Sequence, residues 1–148
     1  MVDTTKSLGY ENIPVLKEAL GLLVQKLDIA ENEAHVSIEI FNKKAEVVNK
    51  FNDPNYWSVK AITDLINTSI DKLKSPTRLD YALEEANGTM FTRENGDRPG
   101  ERNVLVVFTD GRTHENTDLD KYLAYIKDLK VIILHTAWFS KPMSNHIN

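Results

Sequence analysis

The chain of 148 residues has no cysteine, which excludes disulfides and thiolate metal sites but leaves the compartment open, since a domain this long folds without covalent staples. It has only six Gly and five Pro, and no low-complexity run or internal repeat, so it is neither a linker-rich nor a disordered chain. No apolar stretch approaches the ~20 residues that span a bilayer, which argues against membrane insertion, and the first residues are not a basic segment leading into an apolar run. An excess of basic charge is missing as well. The net charge is -4, the pI is near 5.6, and Lys and Arg are scattered, so the clustered basic face that binds nucleic acid or an anionic membrane surface is absent.

What is present is a soluble composition, 41% apolar and 27% charged. Its length suits one core, and residues 1–148 read as a single domain. Ile13, Leu16, Leu20, Leu23, Val24 and Leu27 recur at helical spacing behind Pro14, predicting an amphipathic helix. Val36, Ile38 and Ile40 alternate with Ser37 and Glu39. After the polar Asn42-Lys43-Lys44 a second β-prone run passes through Val47 and Val48, predicting a hairpin. Val59, Ile62, Ile66, Ile70 and Leu73 mark a second helix. Leu79, Ala82, Leu83, Ala86 and Met90 mark a third, beyond the breaker Lys74-Ser75-Pro76. Val104 to Phe108 is an unbroken apolar run, as in a strand covered on both faces; Leu119, Tyr122, Leu123 and Ile126 predict a fourth helix before the run Val131 to Leu134. Helices alternating with buried strands predict a three-layer, doubly wound, Rossmann-like α/β fold. Its sheet is mostly parallel, and the hairpin supplies one antiparallel edge strand.

In such sheets ligands gather outside the carboxyl ends of the strands. Three polar clusters fall there: Asp3-Thr4-Thr5-Lys6-Ser7 before the first helix, Ser75-Pro76-Thr77 at the start of the third, and Thr109-Asp110-Gly111 after the buried strand. They offer two carboxylates, Asp3 and Asp110, and three hydroxyls, Thr5, Ser7 and Thr77, with no thiolate and no imidazole. All-oxygen donors suit a hard cation such as Mg²⁺ or Mn²⁺. Taken singly, each cluster is an ordinary helix cap or turn; their joint occurrence favours a metal site. His35, His114, His135 and His146 show no ligand spacing, and Trp57 and Trp138 are expected to pack the core or its rim. The sequons Asn67-Thr68-Ser69 and Asn87-Gly88-Thr89 occur about as often as chance gives and carry no inference of secretion.

Asp-x-Thr-x-Ser, then a Thr opening a helix that runs into Ala82-Leu83, then Thr-Asp-Gly after Val104-Leu105-Val106-Val107-Phe108, resembles the metal-ion-dependent adhesion site of von Willebrand factor type A domains. The likeness runs from Asp3 to about Leu134. It implies that Thr5, Ser7 and Thr77 hold the ion through hydroxyls while Asp3 and Asp110 compensate its charge, and that an open coordination position takes a carboxylate from a partner protein. It further implies a non-enzymatic adhesion module of an extracellular matrix or cell-surface protein. An intracellular assembly subunit of a multiprotein machine is the alternative. A Mg²⁺-dependent phosphoryl-transfer enzyme is disfavoured, because a phosphate-cradling glycine loop is absent and the Asp3 motif lacks a second acidic residue.

The sequence departs from the family at both ends. Only Met1 and Val2 precede Asp3 where the family has a buried central strand, and after Leu134 the chain reads His135-Thr136-Ala137-Trp138-Phe139-Ser140 where the family continues into another strand and a closing helix. The expectation is a fold missing its first central strand and its last strand and helix. Asp3 to Ser7 would then be poorly supported, the strands at Val36 and Val104 would either face each other across a gap or pair directly, and uncovered sheet edges would invite self-association.

Overall fold

A computed structural model describes residues 1–71, 73–111, 114, 120 and 130–132. Five strands and three α-helices form the described architecture: β1 (Val2–Asp3), α1 (Ile13–Val24), β2 (Glu39–Phe41), β3 (Ala45–Val47), α2 (Val59–Ser69), α3 (Leu79–Glu85), β4 (Val104–Val106) and β5 (Lys130–Ile132). β1 pairs parallel with β2 in the register Val2–Ile40 and Asp3–Phe41, and β2 pairs antiparallel with β3. β4 and β5 pair parallel, and a parallel bridge between Val2 and Phe108 joins the two sets. The order across the sheet is therefore β3-β2-β1-β4-β5, mainly parallel with one antiparallel edge.

A central strand is present, two residues long, where the sequence predicts a gap or direct pairing of the flanking strands. The Met1 amino group donates to the Val106 carbonyl at 2.8 Å, Phe108 N–H to Met1 O at 3.0 Å, and Asp3 N–H to Phe108 O at 2.8 Å. On the other side Thr4 N–H donates to Phe41 O at 2.8 Å. Backbone groups on both flanks thus fix the chain through Thr4, so the loop that follows leaves the sheet from a defined point.

Strand alternation sorts the core into two layers. Val2 and Phe108 face α1 and α2, where they pack with Leu16, Leu20, Ile62, Ile66 and Ile70. Met1, Phe41, Leu105 and Val107 face α3 and pack with Ala82, Leu83, Ala86 and Met90. The helices form for identifiable reasons. α1 carries Pro14 in its first turn and buries Ile13, Leu16, Leu20 and Val24 along one stripe. α2 starts at Ser58, whose hydroxyl caps Ala61 N–H. It stops at Ser69, short of the Leu73 suggested by periodicity, because the chain must run back along the first loop: Lys74 N–H donates to Thr4 O at 3.0 Å and Lys6 N–H to Lys74 O at 3.1 Å. α3 gives way after Glu85 to a wider π turn over Ala86–Met90.

The hairpin is shorter than the alternation predicts. Val36 to Ile38 are held by the Asn49 side chain, which accepts from Ile38 N–H at 2.8 Å and donates to Val36 O at 2.8 Å. Trp57 is half-buried, stacks on His35 with centroids 4.8 Å apart, and donates from Nε1 to Phe51 O at 2.8 Å. The apolar residues of the predicted fourth helix, the end of the last apolar run at Ile133 and Leu134, and His135, Trp138 and His146 lie outside the described residues.

Candidate functional site

The carboxyl ends of β1 and β4 bring the first and third polar clusters together. Asp3, the last residue of β1, is 1% exposed. Its Oδ1 accepts from Thr5 N–H at 2.9 Å, closing the turn into the loop, and its Oδ2 accepts from Thr109 Oγ1 at 2.8 Å. Thr109 Oγ1 in turn accepts from Gly111 N–H at 3.1 Å, and Gly111, with φ 78°, reverses the chain just past Asp110. Asp110 is half-buried and close enough to Asp3 for the two charges to interact.

The hydroxyls follow the same framework. Thr5 is 1% exposed, Ser7 is exposed, and Thr5 Oγ1 lies 2.9 Å from Ser7 Oγ. Thr77 is 8% exposed. The adjacent Arg78 N–H donates to Asn42 O at 2.9 Å, and His114 N–H donates to the Thr77 carbonyl at 3.0 Å, which ties the Asp110 loop to the Thr77 loop. All five expected residues, Asp3, Thr5, Ser7, Thr77 and Asp110, therefore lie on loops linked to one another at one rim of the sheet. The loop expected to lack support is fixed by the backbone pairing of Met1 to Thr4 and of Thr4 and Lys6 to Lys74.

Residues outside the expected set hold this rim. Thr4 Oγ1 donates to Phe41 O at 3.0 Å and accepts from Asn42 Nδ2 at 3.0 Å. Arg78 grips Asp80 with two hydrogen bonds, one from Nε at 2.8 Å, and lies 3.7 Å above the Tyr81 ring, fixing the start of α3 behind Thr77. Burial pushes the Asp80 carboxyl up, yet the Arg78 hydrogen bonds and charge together with the backbone N–H groups of Tyr81 and Asp80 outweigh it and hold the group below its ordinary value. Thr109 and Thr4 sit in polar stretches of the sequence, but a threonine at a strand end reads there as an ordinary turn residue, so their supporting roles were not legible.

The electrostatics are asymmetric. Burial raises the Asp3 carboxyl above its ordinary value; the bonds from Thr5 and Thr109 offset this in part, and the charge of Asp110 adds to it. Among the described residues Asp3 has no ion pair with Lys, Arg or His. Nor do the described residues include a cluster of three or more His, Cys, Asp or Glu side chains that could hold a metal. The expected donors, two carboxylates and three hydroxyls, are an oxygen-only set that would fit a hard divalent cation better than a soft one.

The fold has counterparts among known proteins. Residues 1–145 match the von Willebrand factor type A domain family, and the chain belongs to it. Chicken (Gallus gallus) matrilin-1 is 27% identical over 115 residues, covering 78% of this chain and 23% of its own length. The mussel byssus proximal thread matrix protein 1, in a structure whose MIDAS motif is occupied by zinc, superposes with a TM-score of 0.77 at 17% identity, over 90% of this chain and 36% of that one. The manganese-loaded TRAP protein of Plasmodium vivax gives 0.77 at 14% identity, over 99% and 63%. The chain thus spans about a quarter of the length of the curated relative it matches.

Proposed function

We propose that this rim binds a divalent cation, Mg²⁺ or Mn²⁺, and that the chain is a non-enzymatic adhesion module acting through it. Asp3, Thr5, Ser7, Thr77 and Asp110 would hold the ion. One observation carries the reading: a buried Asp3 carboxylate, which among the described residues accepts only from the neutral Thr5 and Thr109, feels the charge of a second carboxylate, Asp110, on loops tied to those of Ser7 and Thr77. Two neighbouring carboxylates in a low-dielectric rim repel, and a cation between them reverses the sign of that interaction. With only two anionic side chains in the set, a bound divalent ion keeps a net positive charge and can take a carboxylate from a protein ligand at an open position.

This chain's part in recognition is to orient. The backbone pairing of β1 and the Thr109 bond hold Asp3, Arg78 and Asp80 set the start of α3, and Ser7 at the surface leaves the rim accessible. A donor set without a nucleophile and base pair favours binding over catalysis. The matrix proteins among the matching sequences and structures favour an extracellular or cell-surface location over the assembly-subunit alternative. Among the described residues no helix is long and apolar enough to cross a membrane.

The test is adhesion of the chain to wells coated with decellularised matrix. Binding is expected to be lost in EDTA, restored by Mg²⁺ or Mn²⁺, and absent in Thr77→Ala, whose circular dichroism should match the parent. Binding that persists in EDTA, or that Thr77→Ala retains, would refute the proposal.

A further inference from the structure

Beside the rim, under the β2–β3 turn and the end of α2, lies a cavity of about 380 Å³. Lys43, Lys44 and Lys74 line it together with Asn42, Thr68 and Ser69. Its wall is shared with the cation rim: Asn42 Nδ2 donates to Thr4 Oγ1, and Lys74 pairs through its backbone with Thr4 and Lys6. All three lysines are exposed, and among the described residues none forms an ion pair. Two carboxylates also line the cavity. Asp71 is already engaged by Lys17 at 2.6 Å, which leaves Glu46 against three ammonium groups.

We infer that this cavity is a second recognition subsite, taking an acidic side chain of the same protein ligand whose first carboxylate goes to the cation. The inference rests on the proposed function for the first contact and on the cavity alone for the second. Three cationic donors, with the Ser69 hydroxyl and the second Asn42 amide hydrogen between them, match a carboxylate, which accepts up to about four hydrogen bonds; the Thr68 hydroxyl is already committed to the Asp64 and Leu65 carbonyls. A sulfated polysaccharide fits less well. Glu46 and Asp71 would repel a polyanion, the net charge of the chain is -4, and about 380 Å³ holds one or two side chains and not an extended sugar. Pairing a metal-held carboxylate with a second acidic group a short distance away turns a chemically generic contact into a sequence-selective one, because ligands lacking the second group leave the lysines unmatched.

The experiment is amide NMR of the ¹⁵N-labelled chain titrated with N-acetyl-Asp-Glu-amide, first in EDTA and then with Mg²⁺. In EDTA the amides of Lys43, Lys44, Ser69 and Lys74 are expected to shift. Lys43→Gln with Lys44→Gln should weaken that binding roughly tenfold, the loss expected for two exposed charge contacts, while leaving Mg²⁺ affinity and melting temperature as in the parent. Silence at these amides in EDTA overturns the inference. So does a response to inorganic sulfate or a heparin fragment without one to the dipeptide, which would make the cavity a sulfate site. Should Mg²⁺ leave Thr5, Ser7 and Thr77 unmoved while the dipeptide still shifts the cavity, the cation reading fails and the subsite stands.

Discussion

Asp110→Asn is expected to weaken Mg²⁺ binding by about 100-fold, the upper end of what loss of a supporting group costs a metal site. The substitution keeps size and one oxygen acceptor while removing half of the negative charge in the donor set. It also removes the repulsion on buried Asp3. Two readouts should therefore move apart. At a Mg²⁺ concentration about 100 times the parent dissociation constant, ligand linkage stabilises the parent by about 2.7 kcal/mol, and the variant should keep only a few tenths. Without metal, the variant should melt at or above the parent temperature. A variant that melts lower in EDTA would mean that Asp110 is a structural residue, and undiminished Mg²⁺ stabilisation would remove it from the site.

Glu39→Met should raise stability by about 3 kcal/mol at pH 7. Glu39 lies on β2, fully buried, and neither carboxyl oxygen has a hydrogen-bond partner among the described residues. Burial pushes its pKa from 4.5 up to about 8, offset in part by the nearby Met1 amino group and reinforced by Glu85. The folded state thus keeps a proton that the unfolded chain releases near pH 4.5, and between those values the fold binds more protons than the unfolded state. Stability must then fall as pH rises, by about 1.4 kcal/mol per unit. Burial lowers the Met1 amine from 8.0 to about 6, with the Glu39 charge opposing that shift, and this contributes the opposite slope above pH 6. The net decline is confined to pH 4.5 to 6 and amounts to about 2 kcal/mol. Chemical denaturation across that interval should show the decline in the parent and a shallower one in Glu39→Met, where the raised Asp3 carboxyl still contributes; the substitution also replaces an unpaired buried carboxyl by an apolar chain of similar length. Equal slopes in both proteins would place the Glu39 side chain in solvent.

Much of this was legible in the sequence because periodicity survives without context. The α1 stripe of Leu16, Leu20 and Val24, the cap at Ser58 and the apolar run into Thr109 each report their own surroundings. The order of the three polar clusters was legible for a different reason: only a fold that gathers strand ends makes Asp3, Thr77 and Asp110 neighbours. What escaped depends on partners. Two residues of strand at Val2 and Asp3 carry no period, and their place in the centre of the sheet is visible only from bonds to Phe41 and to Val106 and Phe108. The same holds for Asn49, which replaces a ladder beside Val36 and Ile38, and for Glu39, which alternation would put on a polar face but which packs toward α3 beside Phe41. Helical spacing also misled at the end of α2, where the path beside Thr4 and Lys6 overrides the apolar pattern through Leu73.

The central claim is that five oxygen-bearing side chains from three distant segments meet around one divalent ion. Mn²⁺ tests it most directly, because its unpaired electrons broaden the amide signals of nearby residues. Substoichiometric Mn²⁺ should erase the signals of Thr5, Ser7, Thr77 and Asp110 together while those of Ile66 and Ala86 stay sharp. Broadening that spares Thr77, or that centres on a surface carboxylate such as Asp53 or Asp64, would contradict it.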